Sequence, residues 1–381
     1  MITVGLVIFV VSLFSLLIFF IYPFLLILIP KRPVKILDVE LPAVSLLIVV
    51  HNGESLMQDK LVNSLSLHYP PEKYEIVVYS DGSTDSTVRV VSEFVYDRIR
   101  LFSHFQQEGK NKSLNKAIEH CKGEIVVFSD ADAILSEDSL LEMVSYFSDP
   151  EVGGVTGKRV IKKDIAALKD AQSLYIAFDS FIKSAASDTT SNDGKIYALR
   201  RSLFVQMPPS VADDLYEWLA VIQAGYRFLY TGKATAFIRV PARDTAHEFL
   251  RRRRIVSTSL RGIYIMRSVL NPFRYGMFSI TLFVNKVLRR LLPIFAILLL
   301  VSSLLLSVRY PVFRVVSALQ LCFYVTALLY PFLFKHVKIF KINKVASIVY
   351  YFCIGNYGML LGVMDFLNGK EITSWTPKKG K

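Results

Sequence analysis

Two aspartates separated by one residue provide the first chemical signal in the sequence. Asp130 and Asp132 follow directly after the apolar run Ile125–Phe128. Carboxylates at the end of a buried strand are costly to remove from water unless a positive group binds them. Mg²⁺ and Mn²⁺ prefer oxygen ligands, and they often take one or two carboxylates together with substrate phosphates. The spacing therefore favours a divalent-metal site, with a solvated loop after a strand as the structural alternative.

A second acidic segment and one lysine follow other apolar runs. Residues 80–85 have the sequence Ser-Asp-Gly-Ser-Thr-Asp, so Asp81 and Asp85 lie where a strand would end. This composition is typical of a turn or a helix cap, and a strand-end aspartate could instead accept hydrogen bonds from a ligand amide or hydroxyl. Lys110 precedes a predicted helix and could contact a phosphate or a base.

The elements that must position these residues alternate between strands and helices. Apolar runs predict strands at Val44–Val50, Tyr74–Tyr79, Ile99–Phe102 and Ile125–Phe128, and residues 55–67, 86–97 and 112–121 suit helices. This alternation predicts an α/β domain with a mostly parallel sheet. Open α/β sheets bind ligands beyond the carboxyl ends of their strands. We therefore expect four carboxylates to converge on one edge of the sheet, those of Asp81, Asp85, Asp130 and Asp132.

The two ends of the chain are more apolar than its middle. The 381 residues are 52% hydrophobic with a mean hydropathy of +0.40, and Ile2–Ile29 contains no charge. About 20 apolar residues span a bilayer, so this stretch predicts an uncleaved anchor. A cleaved signal peptide would begin with basic residues and would be shorter. Three further stretches predict C-terminal transmembrane helices, at Val287–Val308, Val312–Phe334 and Val345–Leu367.

Basic residues beside the apolar stretches predict the orientation in the membrane. Clusters at residues 31–35, 286–290 and 335–344 follow the positive-inside rule if the middle of the chain is cytoplasmic. Counting crossings then places the C-terminus outside, whereas the lysines at 378–381 favour the inside. The formal net charge of +13 favours attraction to anionic membrane lipids over nucleic-acid binding, because the basic clusters adjoin the predicted spans.

The order of the motifs resembles the nucleotide-sugar half of glycosyltransferase family 2, which has the GT-A fold. The similar segments are 44–54, 80–85, 109–117 and 130–132. The resemblance implies that Asp81 and Asp85 contact the nucleoside and that Lys110 lies nearby. It also implies that Asp130 and Asp132 hold a metal on the diphosphate of the donor. No P-loop and no Gly-x-Gly-x-x-Gly segment follows the first predicted strand.

Later segments resemble the acceptor half of the membrane-embedded members of this family. Residues 194–201 and 212–215 contain the similarity, which implies that Asp214 is the general base with Asp213 beside it. A sugar hydroxyl is a poor nucleophile until a base takes its proton during the attack. The pair could also cap a helix at 215–224 and favour its N-terminal dipole, and the two roles are compatible.

Residues 251–255 resemble the Gln-x-x-Arg-Trp motif of processive synthases similar to cellulose and hyaluronan synthase. Arg254 is retained, whereas Arg251 replaces the glutamine and Ile255 replaces the tryptophan. The resemblance implies donor contacts for Arg254 and Arg251, because arginine suits a diphosphate leaving group. Without the aromatic platform, processive polymerisation is not implied. Lipid headgroups are the alternative partners of Arg251–Arg253.

The sequence therefore predicts a membrane-embedded inverting glycosyltransferase with about four transmembrane helices, one N-terminal and three C-terminal. Its expected parts are an anchor at 1–30, a cytoplasmic GT-A domain at 31–241, amphipathic interface helices at 242–285, transmembrane helices at 286–368 and a tail at 369–381. The expected donor is a UDP-linked sugar bound with Mg²⁺ or Mn²⁺. The expected acceptor is a polysaccharide or a lipid-linked saccharide at the cytoplasmic face of the cell membrane. Polysaccharide-export proteins or a second copy are expected partners, and nucleic acid is not.

Two other functions stay open at this point. A single-sugar transferase acting on polyprenyl phosphate or another lipid would need no base, because a phosphate acceptor is already ionised. A non-catalytic subunit of a polysaccharide assembly complex would bind the nucleotide sugar without releasing the nucleotide. The intact acidic residues at the predicted strand ends, Asp81, Asp85, Asp130 and Asp132, favour an enzyme over such a subunit.

Overall fold

The described part of the chain forms two units in the computed structural model. The description covers residues 2–37, 39–94, 98–161, 169–186, 192, 194–238, 245–333 and 340–371. The sheet unit comprises Ile27–Pro241, Arg261–Phe278 and Glu371–Lys381, and the membrane unit comprises Met1–Leu26, Ala242–Leu260 and Ser279–Lys370. The domain boundary predicted at residues 241 and 242 and the basic tail at 372–381 lie outside the described residues.

The sheet unit is built on one eight-stranded sheet. Its strands are β1 (Val44–Val50), β2 (Tyr74–Asp81), β3 (Ile99–His104), β4 (Ile125–Ser129), β5 (Ala133–Leu135), β6 (Val152–Ile161), β7 (Ile196–Arg200) and β8 (Arg227–Ile238). The spatial order is β3-β2-β1-β4-β7-β6-β8-β5. Strands β1 to β4 pair in parallel and so do β6 and β8, whereas β7 runs antiparallel to β4 and β6, and β5 to β8. The predicted mostly parallel sheet is confirmed.

Helices connect the strands and continue into the apolar end of the chain. They are α1 (Ile2–Ile27), α2 (Glu54–Leu65), α3 (Thr87–Ser92), α4 (Lys110–Ala117), α5 (Ser139–Val144), α6 (Lys169–Ala185), α7 (Asp213–Gln223), α8 (Thr245–Ile265), α9 (Pro272–Tyr275), α10 (Met277–Leu282), α11 (Arg289–Ser307), α12 (Pro311–Leu329) and α13 (Phe340–Leu367). A π-helical turn at Phe283–Leu288 joins α10 to α11. The helices predicted at 55–67, 86–97 and 112–121 correspond to α2, α3 and α4.

The parallel half of the sheet brings the ends of its strands to one edge. Every residue of β1 and of β4 is buried, as expected for strands covered on both faces. Val50, the last residue of β1, pairs with Ser80, and Asp81 at the end of β2 pairs with His104. Because β4 also runs parallel to β1, its end at Ser129 reaches the same edge. Asp81 and the Asp130-Ala131-Asp132 segment therefore follow strands that end together.

The membrane unit contains helices that are long and apolar enough to cross a membrane. Within the described ranges these candidate spans are Ile2–Ile27, Met277–Ser307, Pro311–Leu329 and Val345–Leu367, one near the N-terminus and three near the C-terminus as predicted. The second span begins about ten residues before the predicted Val287, because the helix continues through the basic cluster at 286–290. Arg290 is buried there, and its Nε donates to Ser259 Oγ at 2.7 Å. Arg290 thus contributes to packing within the membrane unit.

Helix α8, which contains the arginine-rich segment, packs against α13. A Cβ added to Gly362 would lie 2.6 Å from the carbonyl oxygen of Arg253, so the two helices approach closely at this glycine. Arg253 donates two hydrogen bonds to Asp365, from Nε at 2.5 Å and from Nη2 at 2.7 Å. Arg252 lies over the ring of Tyr351, 5.6 Å from its centroid. Arg252 and Arg253 therefore have protein partners in addition to any lipid contacts.

Replacing Asp365 with asparagine is expected to lower the unfolding temperature of the purified protein by several degrees. The asparagine would leave the guanidinium of Arg253 without its bidentate carboxylate in a partly buried place, which is costlier than removing both partners. Thermal unfolding in detergent would measure this. The double variant Arg253→Gln, Asp365→Asn should be no less stable than the single variant, and additive losses would contradict the pairing.

Candidate active site

Asp130 and Asp132 share the ammonium group of Lys195. Lys195 Nζ lies 2.9 Å from Asp130 Oδ2, 2.7 Å from Asp132 Oδ1 and 2.9 Å from Asp132 Oδ2. Asp130 and Asp132 lie in the three-residue link between β4 and β5, and Lys195 directly precedes β7, the antiparallel neighbour of β4. A single cation therefore already lies between the two carboxylates, which is the arrangement that a bound metal ion would require.

Lys110 joins the donor-side carboxylate to the acidic pair on α7. Its Nζ lies 2.9 Å from Asp130 Oδ1 and 2.7 Å from Asp213 Oδ2. Lys110 is the first residue of α4, and Asp213 is the first residue of α7. Residues that the sequence assigned to separate donor and acceptor motifs thus meet at one ammonium group.

The lysines keep the carboxyl group of Asp130 ionised. Burial opposes the ionisation of Asp130, but the Lys110 and Lys195 ammoniums outweigh it and hold the pKa of this carboxyl well below its usual range. Burial alone would lower the pKa of Lys110, whereas the charges of Asp130 and Asp213 raise it above its ordinary value. Asp130 and Lys110 therefore form a charged pair at neutral pH rather than a neutral hydrogen-bonded one.

A third lysine, Lys60, forms hydrogen bonds on both sides of the Asp130-Ala131-Asp132 segment. Lys60 on α2 is fully buried, and its Nζ donates to Ser129 Oγ and to the carbonyl oxygen of Ala133, both at 2.7 Å. Burial lowers the pKa of Lys60 to about 7, against the raising effect of Asp130 and Asp132. Because these two bonds flank the Asp130-Ala131-Asp132 segment on both sides, Lys60 fixes its backbone.

Asp81 and Asp85 use their carboxylates to hold loops together. Asp81 is buried and accepts hydrogen bonds from the backbone amides of Glu108 at 2.8 Å and Gly109 at 3.0 Å. Asp85 accepts from the amides of Thr87 at 3.0 Å and Glu54 at 3.2 Å. No group of three histidine, cysteine, aspartate or glutamate side chains arranged to hold a metal occurs among the described residues. Asp81 and Asp85 therefore satisfy loop amides, and the metal-binding role of Asp130 and Asp132 stays a prediction.

The turn that contains Asp81 leaves no room for a side chain at the next position. Gly82 has a φ of +59°, and a Cβ there would lie 2.3 Å from the backbone nitrogen of Gln107. Glycine adopts this conformation without steric cost. The loop at 80–85 and the loop at 104–109 are thus packed backbone to backbone, which places Gly109 and Lys110 beside the end of β2.

The acidic pair lies inside the first turn of α7 rather than at its cap. The N-cap is Ala212, so Asp213 and Asp214 are the first two helical residues, where negative charge favours the helix dipole. A Cβ added to Gly194 would lie 2.7 Å from Asp214 Oδ2, and the backbone oxygen of Asp214 accepts from Asn192 Nδ2 at 3.1 Å. The segment before β7 therefore holds Asp214 at its place.

Comparison with known proteins identifies the family to which most of the sheet unit is similar. The profile described as "Glycosyl transferase family 2" matches residues 45–206, which include β1 to β4, the Asp130-Ala131-Asp132 segment, Lys110 and Lys195. This chain contains a family 2 glycosyltransferase domain. The resemblance of the segments at 44–54, 80–85, 109–117 and 130–132 to this family is thereby confirmed, and the family is one of enzymes.

Two curated relatives illustrate the range of products within the family. The chain is 29% identical to poly-beta-1,6-N-acetyl-D-glucosamine synthase of Staphylococcus aureus (strain COL) over 221 residues, which are 55% of this chain and 53% of the relative. It is 32% identical to beta-monoglucosyldiacylglycerol synthase of Nostoc sp. over 136 residues, which are 35% of this chain and 29% of that relative. The chain thus spans about half the length of the first relative and less of the second.

One solved structure matches nearly the whole chain. A mannosyltransferase from Pyrobaculum calidifontis, in complex with GDP-Man and Mn²⁺, superposes with a TM-score of 0.71 over 97% of this chain and 99% of the other. The two sequences are 21% identical. The glycosyltransferase domain and the flanking helices of this chain therefore share the fold of that enzyme.

The sheet unit also contains a buried acid that the motifs did not reveal. Glu217 lies one turn after Asp213 on α7 and is fully buried. Burial raises the pKa of Glu217 well above its ordinary value, the Val205 backbone amide lowers it in part, and the Asp213 charge adds to the increase. Neither carboxyl oxygen makes a hydrogen bond of normal geometry to the described residues. Glu217 is therefore held as a neutral acid above the pH at which an exposed glutamate ionises.

Replacing Glu217 with glutamine is expected to stabilise the protein at alkaline pH. The unfolded chain ionises this carboxyl near its ordinary pKa of 4.5, whereas the folded chain keeps the proton to a higher pH. The wild type therefore loses stability as the pH rises from that value through the folded-state pKa. Glutamine avoids this loss, so its unfolding temperature should exceed that of the wild type at about pH 8 and approach it at about pH 5. Equal pH profiles of the two proteins would contradict the raised pKa.

Lys60 and Lys195 are the site residues that sequence reasoning missed. Lys60 lies on the buried face of α2 with Leu56, Met57, Leu61 and Ser64, so a lysine in an otherwise inward-facing stripe was a detectable signal. Lys195 gave no such signal, because its role depends on the antiparallel pairing of β7 with β4. Arg251 and Arg254 lie on α8 in the membrane unit, and their contact with a donor stays a prediction.

Proposed function

We propose that this chain transfers a sugar from a nucleotide sugar, with a UDP-sugar as the expected donor, to a saccharide or lipid-linked acceptor. The reaction inverts the configuration at the anomeric carbon and takes place at the cytoplasmic face of the cell membrane. The family 2 domain and the four candidate spans support this proposal. Expected partners are the membrane lipids and either polysaccharide-export proteins or a second copy of the chain.

The observation that supports the proposal most directly is the position of Lys110. Its ammonium contacts Asp130 on the donor side and Asp213 on α7 at hydrogen-bonding distances. A diphosphate held at Asp130 and an acceptor hydroxyl held at the start of α7 would therefore be neighbours. This proximity is what an in-line attack on the anomeric carbon requires.

Asp130 and Asp132 fit a divalent cation. Their oxygens are hard ligands, and the ammonium of Lys195 lies between them, so the pair already binds one cation. Two protein carboxylates with substrate phosphates suffice for Mg²⁺ or Mn²⁺. When bound, the ion would neutralise the charge that develops on the departing diphosphate. The solved mannosyltransferase of the same fold contains Mn²⁺ and GDP-Man, which supports this assignment.

Asp214 is proposed as the general base, with Asp213 as its neighbour. Asp214 would take the proton of the acceptor hydroxyl, whose oxygen attacks the anomeric carbon while the bond from that carbon to the diphosphate breaks. Asp213 is paired with Lys110, and Asp214 follows it in the first turn of α7, at the position where the family resemblance places the base. Asp81 and Asp85 fix the loops that would hold the nucleoside, and Lys110, Arg251 and Arg254 are proposed to contact the donor.

Release of nucleotide from purified full-length protein tests the proposal. The protein in lipid nanodiscs would be given Mn²⁺, membrane extract as acceptor, and each of a panel of UDP-sugars together with GDP-mannose. We expect one donor to support steady nucleotide release that depends on the acceptor and stops with a chelator. Tight donor binding without release for every donor would contradict transfer and would favour the non-catalytic subunit.

Transfer of one sugar to a lipid is the second candidate function. The Nostoc relative, a glycolipid synthase, favours it, and so does Ile255 in place of the aromatic residue expected in processive synthases. Radiolabelled donor would separate the two candidates. Label that is extracted into organic solvent on a lipid carrying one sugar would support this candidate, whereas label in a growing water-soluble polymer would contradict it.

A further inference from the structure

Lys195 occupies the position between Asp130 and Asp132 where a metal ion would bind. Its ammonium lies within 2.9 Å of three oxygens from these two carboxylates. Carboxylate oxygens can accept hydrogen bonds from an ammonium or coordinate a divalent ion, but a second cation in the same place is repelled. The metal and the ammonium therefore exclude each other from this position.

The charges of the cluster are already close to balanced without a metal. Three carboxylates face two ammoniums, those of Asp130, Asp132 and Asp213 against Lys110 and Lys195. All five side chains are at least three-quarters buried. In such a place an added double positive charge is costly unless a positive group leaves. Metal binding to the free enzyme therefore requires one ammonium to move.

Lys195 is the lysine that can move. Lys60 is fully buried and is fixed between Ser129 Oγ and the Ala133 carbonyl. Lys110 has a second carboxylate partner in Asp213, and it keeps this partner if Asp130 coordinates a metal ion. Lys195 is one-fifth exposed, and its two ion-pair partners are the two proposed metal ligands.

We propose that the ammonium of Lys195 occupies the metal site in the free protein, is displaced when the divalent ion binds, and then binds the diphosphate of the donor. This inference rests on the proposed function, since it takes Asp130 and Asp132 as metal ligands. A displaced ammonium beside a metal-bound diphosphate gains phosphate oxygens in place of the carboxylates it loses. Metal and nucleoside diphosphate then bind cooperatively, because the phosphate stabilises the displaced position of Lys195.

Binding of Mn²⁺ measured by electron paramagnetic resonance tests the proposal on the full chain in detergent. The probes are Mn²⁺ alone and Mn²⁺ with UDP or with GDP. The variant is Lys195→Met, and Lys233→Met is the control, because Lys233 is exposed and paired with Glu142 at 3.6 Å. We expect Lys195→Met to bind Mn²⁺ alone at least about tenfold more tightly than the wild type does, since no ammonium competes.

The second part of the prediction concerns the affinity for nucleotide. In the presence of Mn²⁺, Lys195→Met should bind the preferred nucleotide about tenfold or more weakly, as expected for the loss of one charge-assisted hydrogen bond. In the wild type each of the two ligands, Mn²⁺ and nucleotide, should raise the affinity for the other. This effect should disappear in Lys195→Met and persist in Lys233→Met. Lys195→Arg, which keeps the charge, should restore part of this effect.

The two proposals fail in different ways. Unchanged or weaker Mn²⁺ binding by Lys195→Met would overturn the role of Lys195, and so would unchanged nucleotide binding. Wild-type Mn²⁺ binding by the double variant Asp130→Asn, Asp132→Asn would instead overturn the proposed metal site itself. Circular dichroism and thermal unfolding test whether each variant is folded.

Discussion

Replacing Asp214 with asparagine should lower the turnover of sugar transfer by a factor on the order of 10² to 10⁴, with little change in donor binding. Asparagine keeps the shape of the side chain and the contact with Gly194, but it cannot accept the proton of a sugar hydroxyl. The effect belongs to the chemical step, so it appears in kcat rather than in the affinity for nucleotide. Single-turnover transfer at saturating donor measures it.

Asp213→Asn is the matched comparison on the same helix turn. It removes the ion pair with Lys110 and should weaken donor binding as well as turnover, because Lys110 also contacts Asp130. Full turnover of Asp214→Asn would mean that the acceptor arrives already ionised. That outcome contradicts base catalysis and supports a phosphate acceptor such as a polyprenyl phosphate.

The parallel half of the fold could be predicted from the sequence because its signals are local. Runs such as Val44–Val50 are apolar at every position, which is typical of strands buried on both faces, and turn residues end each run. The placement of Asp130 and Asp132 after a strand follows from the same signals. The long uncharged stretch at the N-terminus is equally local, and α1 covers it.

The antiparallel half and the lysine bridges could not be predicted, because they depend on contacts between distant segments. Strand β7 is inserted between β4 and β6, and no feature of Ile196–Arg200 specifies that order. Lys195 reaches Asp132 only through this insertion, and Lys110 reaches Asp213 only because α4 and α7 begin at the same place. Likewise, Asp81 and Asp85 are residues of a type that could bind a ligand. Their carboxylates instead accept hydrogen bonds from backbone amides of neighbouring loops, and no local pattern in the sequence predicts those contacts.

Alanine at both Asp130 and Asp132 should abolish measurable transfer, with a loss on the order of 10³ or more. The double variant removes the oxygens proposed to hold the metal, so the diphosphate would lose its neutralising partner as the glycosidic bond breaks. It also leaves two ammoniums, those of Lys110 and Lys195, without Asp130 as their shared partner. Nucleotide release with the preferred donor at saturating Mn²⁺ measures the loss.

A folding defect must be separated from a chemical one in this experiment. Asparagine at both positions preserves volume and hydrogen bonds to the lysines, so it should fold and still lose most of the activity. Asp138→Asn provides a carboxylate control in the same unit, because Asp138 is exposed and pairs with His68 at 2.9 Å. If the folded double asparagine variant transferred sugar at the wild-type rate, then Lys110 and Lys195 alone would have to stabilise the leaving diphosphate, and the carboxylates would serve only to position them.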